Sequence, residues 1–194
     1  MAVLNPTRSR RAVCICCLLL TLLCGSGLPV FAQAEVSKEY QVKAAFLFNF
    51  AQFVDWPPAV FTNAGMPFTI GILGRDPFGA ALEATVQGET INSHKIIIER
   101  ARTVDDLKNC QLVFISQSEK NHVPEILSAL DDRPVLTVSE IEGFARLGGS
   151  INFYLDGGKV RFEVNPAAAQ RDGLKVSSQL LSLGKIIQTS KEGK

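Results

Sequence analysis

Four short apolar runs, at 67–74, 96–98, 112–115 and 134–138, recur at intervals too long for hairpins. Between them lie stretches of helical composition, 78–86, a short piece at 103–107, and 118–130, where Val123, Ile126, Leu127 and Leu130 fall at helical spacing. Strands that alternate with helices need crossover connections, and crossovers give a mainly parallel sheet with helices on both faces. The run at 67–74 is apolar on both faces near its end, as a central parallel strand is. Asp76 is the expected cap of the first of these helices, with Pro77 at its first position, and Thr103 is the expected cap of the short piece.

The pattern changes after position 150. Ile151, Phe153 and Leu155 alternate with polar neighbours, Asp156-Gly157-Gly158 makes a turn, and Val160, Phe162 and Val164 alternate with Lys159, Arg161, Glu163 and Asn165. This predicts an antiparallel β-hairpin with one face in the core and a polar outer face. Asn165-Pro166 predicts a helix start and Gly173 its end. Val176, Leu180, Leu183 and Ile187 predict the buried stripe of a last helix, with 190–194 frayed. The fold class expected is α/β, a single three-layer domain with a mainly parallel sheet, helices on both faces and a C-terminal antiparallel hairpin.

Ahead of all this comes an aromatic stretch, 36–58, in which Phe46, Phe48, Phe50 and Phe53 share one helical run that stops at Trp56-Pro57-Pro58. No single helix face holds all four rings, so the belt needs cover on several sides. Asn49 and Gln52 interrupt it, and it is well short of the about 20 apolar residues that a bilayer requires. Phe46, Phe50, Phe53 and Trp56 are therefore expected to serve as core or dimer contacts.

Arg8, Arg10 and Arg11 precede an apolar run from Ala12 to Leu23 with a small-residue exit, the pattern of a secretory signal. The expected cut follows Ala34, so 1–34 is a leader and 35–194 the domain, placed in the periplasm. That leaves 160 of the 194 residues, one domain able to bury a core. The leader carries three of the 20 basic residues and no acid, so 17 basic face 19 acidic residues in the remainder. Such a balance gives no electrostatic case for nucleic acid. Nor does any basic amphipathic stretch suggest membrane insertion. Four of the five cysteines lie in the leader, and Cys110 alone has no internal partner. It is expected as a buried thiol at a strand start.

Little of the chain points to catalysis. Gly71-Ile72-Leu73-Gly74, followed by Arg75 and Asp76, leaves a strand and enters a helix, but it completes neither G-x-G-x-x-G nor G-x-x-x-x-G-K-[ST]. It is read as a structural turn, with a small-ligand crevice at Gly74, Arg75 and Asp76 as the alternative for a sensor or solute binder. His94 and His122 have no carboxylate or cysteine at ligand spacing and are read as solvated surface histidines. The serines lack a G-x-S-x-G elbow, and Asp105-Asp106 and Asp131-Asp132 are read as loop charges. No catalytic residue, metal or cofactor is expected. The hairpin's outer face, with Arg161, Glu163 and Asn165 beside the glycine-containing loop 143–149, offers polar specificity groups of the kind a protein interface uses.

Three segments together resemble the YfiR-like family (DUF4154): 40–57, YQVKAAFLFNFAQFVDWP; 143–153, GFARLGGSINF; and 161–181, from RFEVNP to GLKVSSQLL. The resemblance implies a periplasmic α/β protein that forms a homodimer and represses an inner-membrane diguanylate cyclase by binding its periplasmic part. Control of cyclic di-GMP and biofilm formation would follow. Arg161, Glu163 and Asn165, on the hairpin's polar outer face, are the expected partner contacts. The namesake resembles a disulfide-bonded protein, whereas Ala145 and Asn152 here occupy positions where a cysteine pair would be expected. Redox control through an internal bridge is not expected.

Overall fold

The structure, a computed structural model, describes residues 30–63 and 65–188, with side chains described from Lys38 onward. The expected leader lies outside the described residues up to position 29, and all packing below belongs to the unit Lys38–Lys194. Helix α1 (Val30–Gln52) leads into β1 (Val54–Asp55) and β2 (Phe68–Leu73). Helix α2 (Ala81–Val86), β3 (Thr90–Ile91), β4 (His94–Ala101) and β5 (Leu112–Ile115) follow, then α3 (Val123–Leu130) and β6 (Leu136–Ser139). The hairpin is β7 (Ile151–Asp156) with β8 (Lys159–Val164), and the chain closes with α4 (Pro166–Arg171), β9 (Lys175–Val176), α5 (Ser178–Leu183) and β10 (Lys185–Ile186).

Eight strands form one sheet in the order β10-β8-β7-β6-β5-β2-β4-β3, and β1 pairs with β9 apart from it. Pairs β4–β2, β2–β5, β5–β6, β6–β7 and β8–β10 are parallel, while β7–β8 and β3–β4 are antiparallel. Strands β2, β5 and β6 are buried along their whole length, which is why their sequences are apolar on both faces. On one face Ile70, Ile72, Phe114 and Val138 pack with Leu47 and Phe50 of α1 and Leu82 of α2. On the other, Leu73, Val113 and Ile115 pack with Leu107, Phe144 and Val123, Ile126 and Leu130 of α3. This is the expected three-layer α/β domain.

Four local expectations are corrected. Asp76 Oδ1 accepts from the Phe78 N–H at 2.7 Å, but Gly79 takes a positive φ of 55°, so the helix begins only at Ala81 and without a side-chain cap. Pro77 is therefore not its first residue. His94 belongs to β4 and is not a solvated surface histidine; its ring is part-buried, stacks on Phe61 at 4.2 Å, and its Nδ1 lies 2.6 Å from the Met66 carbonyl oxygen. The last helix ends at Leu183, which is 64% exposed, because Gly184 passes so close to β8 that a Cβ there would meet the Phe162 ring at 2.5 Å. Val176 then belongs to β9, and the chain past Gly184 pairs with β8 instead of continuing a stripe.

The hairpin departs most. Its outer face is polar and exposed only toward the tip, and both strands are buried on both faces at the base. Loop 141–149 lies over that base, with Phe144 buried and held by Phe144 N–H to Ile141 O at 3.1 Å and Gly149 N–H to Phe144 O at 3.0 Å. Asn165 caps α4 as expected, its Oδ1 accepting from the Ala168 N–H at 3.1 Å.

Candidate functional site

Helix α1 spends most of its aromatic belt on the hairpin. Phe50 is wholly buried, stacks on Phe153 at 5.5 Å and meets Phe162 edge to face. Phe46 is half-buried and reaches the same two rings at 6.0 and 5.4 Å. Trp56 is buried against Phe68 at 5.2 Å and donates its indole N–H to Ala51 O at 3.3 Å, and Phe53 is partly buried at the margin of the same cluster. The belt is thus covered by this chain's own sheet, with the outer edges of Phe46 and Phe53 left over.

The three hairpin residues do not share one exposed face. Arg161 is exposed and sits across from Tyr154 in register. Glu163 is only 8% exposed, because β10 and the 141–149 loop close over it; Lys185 Nζ lies 3.2 Å and Arg146 Nη2 3.6 Å from its Oε1. Asn165 is 1% exposed and is consumed by its helix cap and by donation from Nδ2 to Ala145 O at 2.8 Å. The expectation of Glu163 and Asn165 on a solvated outer face is corrected accordingly, since both are covered by segments distant in sequence. Asn152 is buried too, and its Nδ2 donates to Ile141 O at 2.9 Å.

What is exposed at this end is different. Tyr154, Leu155, Leu183 and Ile186 stand 37, 53, 64 and 50% exposed. A groove of about 450 Å³ runs among Phe46, Tyr154, Val160, Arg161, Leu183 and Lys185. Apolar area flanked by cationic groups is the composition of a protein-binding surface, an apolar centre with a polar rim. Leu183 was missed in the sequence because it was assigned to a buried helical stripe.

A second unforeseen cluster lies at the carboxyl end of β6. Lys43, nearly wholly buried, forms ion pairs with both Glu39 and Glu140, and Tyr40 donates its hydroxyl to Glu140 Oε1 at 2.9 Å. Burial and the neighbouring Glu140 carboxylate push the Tyr40 hydroxyl well above its ordinary range. The i,i+4 spacing of Glu39 and Lys43 is visible in the sequence, but Glu140 is far removed along the chain.

Gly74, Arg75 and Asp76 separate. Gly74 and Arg75 line a crevice with Arg102, Ser118 and Glu119, whereas Asp76 turns away and accepts from Arg100 Nε at 2.7 Å. Cys110 is 2% exposed, as expected, and burial, then the Glu99 carboxylate, push its thiol up to about 12. Asp172 is 5% exposed with Oδ1 unpartnered; Arg171 Nε lies 3.3 Å away but points to Asp131 at 2.7 Å. Burial pushes its carboxyl up to about 6. His122 is exposed, with Nδ1 3.6 Å from Glu119. Among the described residues no three potential ligands gather into a metal site, and no described helix is long and apolar enough to cross a membrane.

No curated protein matches the chain. A crystal structure described as a conserved domain protein from Vibrio cholerae O1 biovar El Tor superposes with a TM-score of 0.53 at 9% identity, over 77% of this chain and 60% of that one, and shares the fold. The family model described as YfiR/HmsC-like (DUF4154) matches residues 40–185, which include α1 from Tyr40, the hairpin and the sheet up to the first residue of β10, and the chain belongs to that family.

Proposed function

We propose that this protein is a periplasmic regulator that restrains an inner-membrane diguanylate cyclase by binding its periplasmic part, as a homodimer and without catalysis. Family membership supports the class of role. The observation that carries the contact surface is the groove at the hairpin end, where Tyr154, Val160 and Leu183 lie beside Arg161, Lys185 and Asp156, with Leu155 and Ile186 exposed nearby. An apolar centre supplies affinity and the cationic rim supplies orientation toward an acidic partner surface. Glu163 acts in this reading as a support, holding Lys185 and Arg146 over the base of the hairpin. Asn165 supports from further back, through α4 and Ala145.

The test is capture of the periplasmic part of a membrane diguanylate cyclase encoded beside this protein. Leu183→Asp and Arg161→Glu change exposed side chains that line the groove and are expected to weaken the complex at least about tenfold with an unchanged melting temperature. Wild-type affinity in both variants sinks the surface, and absence of any complex with the wild type sinks the regulatory reading. Glu163→Lys is a poor probe, because it places a third cation between Lys185 and Arg146 and loosens β10.

A further inference from the structure

Two crossovers leave the middle of the sheet in opposite directions. β2 passes through α2 to β4 on one side, and α2 buries Leu82 and Val86 in the core of one face. β5 passes through α3 to β6 on the other side, and α3 buries Val123, Ile126 and Leu130 in the core of the opposite face. Strands β2, β4, β5, β6 and β7 stand in the sheet as β4-β2-β5-β6-β7. That is the 2-1-3-4-5 arrangement of a doubly wound sheet, whose ligands bind outside the carboxyl ends of the two strands where the winding reverses. Here those strands are β2 and β5.

An open crevice of about 480 Å³ lies there, lined by Gly74, Arg75, Arg102, Ser118 and Glu119. Its walls come from the carboxyl ends of three neighbouring strands, Gly74 and Arg75 after β2, Arg102 after β4, and Ser118 and Glu119 after β5. The floor is already formed. Arg75 N–H donates to Ser118 Oγ at 3.0 Å, Gly74 N–H to Ala101 O at 3.0 Å and Ser116 N–H to Leu73 O at 3.0 Å. The loops meet so closely that a Cβ on Gly74 would lie 2.3 Å from Ser118 Oγ.

The charges in the crevice are unevenly spent. Arg75 and Arg102 are both exposed, and among the described residues neither enters an ion pair, while adjacent Arg100 is bound to Asp76 and Glu83. Glu119 is the one acid in the lining; its Oε1 accepts from Ser118 Oγ at 2.8 Å, and Oε2 lies 3.6 Å from His122 Nδ1. Two guanidiniums against one engaged carboxylate leave a net positive lining, and guanidinium forks match the planar spacing of oxyanions.

We propose that this switch-point crevice binds a small molecule through a compact oxyanion, a phosphate or a carboxylate, with Arg75 and Arg102 as the gripping groups and Ser118 as the residue that positions the Arg75 loop. The site is separate from the hairpin surface, and its occupancy is measurable without any partner protein.

Isothermal titration of the purified protein with inorganic phosphate, adenosine 5′-monophosphate and succinate, at ionic strength held constant with sodium chloride, tests the proposal. At least one probe is expected to bind saturably. Arg75→Ala/Arg102→Ala is expected to weaken that binding at least about tenfold, and Lys159→Ala, an exposed cation outside the crevice lining, to leave it within about twofold. The relative affinities of phosphate and succinate tell the two oxyanions apart. Failure of all three probes to bind saturably overturns the proposal, as does binding by the double variant within twofold of the wild type. Because both arginines are exposed, the double variant keeps its melting temperature, which ties a loss of binding to the crevice.

Discussion

The Phe50 and Phe162 rings meet edge to face with centroids 4.9 Å apart, joining helix α1 to strand β8 of the hairpin. Phe50 also stacks on Phe153 and is wholly excluded from water. Phe50→Ala is expected to cost about 3–5 kcal/mol in urea unfolding, through lost burial and a cavity between helix and hairpin. Phe46→Ala, at a half-buried position, is expected to cost clearly less. Equal costs for the two would mean that the helix does not lean on the hairpin as described.

The buried ammonium of Lys43 is held between Glu39 and Glu140. Removing the cation leaves two carboxylates facing each other with little water, so Lys43→Met is expected to destabilise by about 3 kcal/mol or more. Lys43→Met/Glu140→Leu is expected to recover part of that loss, because the stranded acid is gone as well. A double-mutant cycle without coupling would contradict the pairing.

Asp172 carries a pH signature. Its ordinary value is 3.8 and burial raises it to about 6 in the fold, so between those values the folded chain keeps a proton that the unfolded chain has lost. The stability contributed by this group is full below its unfolded value and falls as pH rises through the window. Asp172→Asn removes that slope. It is expected to stabilise the protein at pH 7.5 by about 1–3 kcal/mol and to give no gain near pH 3.5, as read from urea unfolding across the range.

Much of the architecture is written locally. The hairpin is legible because period-two alternation and Asp156-Gly157-Gly158 sit next to each other, and α4 because Asn165-Pro166 is a cap followed by a residue already bent for the first turn. The 112–115 strand appears with its exact ends. What the reading missed is set by segments that meet from far apart. Glu163 alternates as an outward residue and would be one, had Arg146 and Lys185 not folded over it. Leu183 has helical spacing, yet the helix ends beside it because Gly184 must slide past Phe162. Glu140 meets Lys43 only once β6 has been laid beside its neighbours, so no window of sequence contains the pair.

Cys110 tests the tightness of the second core. Its thiol is 2% exposed and raised to about 12, first by burial and then by Glu99, so it holds almost no thiolate near neutrality. At pH 8 a disulfide reagent is expected to label the folded protein at least about 100-fold more slowly than the protein in denaturant. Fast labelling of the native state would show that the strand start opens readily.

The end strands of the eight-stranded sheet are only two residues long, Thr90–Ile91 and Lys185–Ile186, and each covers only part of its neighbour: β3 pairs with β4 at His94 and Lys95, and β10 with β8 at Glu163 and Val164. A long bare margin of backbone donors and acceptors is a template on which further chains can add, one strand after another, toward fibres. On one side the margin strand begins with Lys185, whose charge any added strand would have to desolvate. On the other, beyond Ile91, Arg100 folds its guanidinium across to Asp76 and Glu83 beside β4. From Ile96 to Ala101 the outer side of β4 has no partner strand among the described residues, so on that margin the charged side chains, and not the length of the end strand, are what an added strand would have to displace.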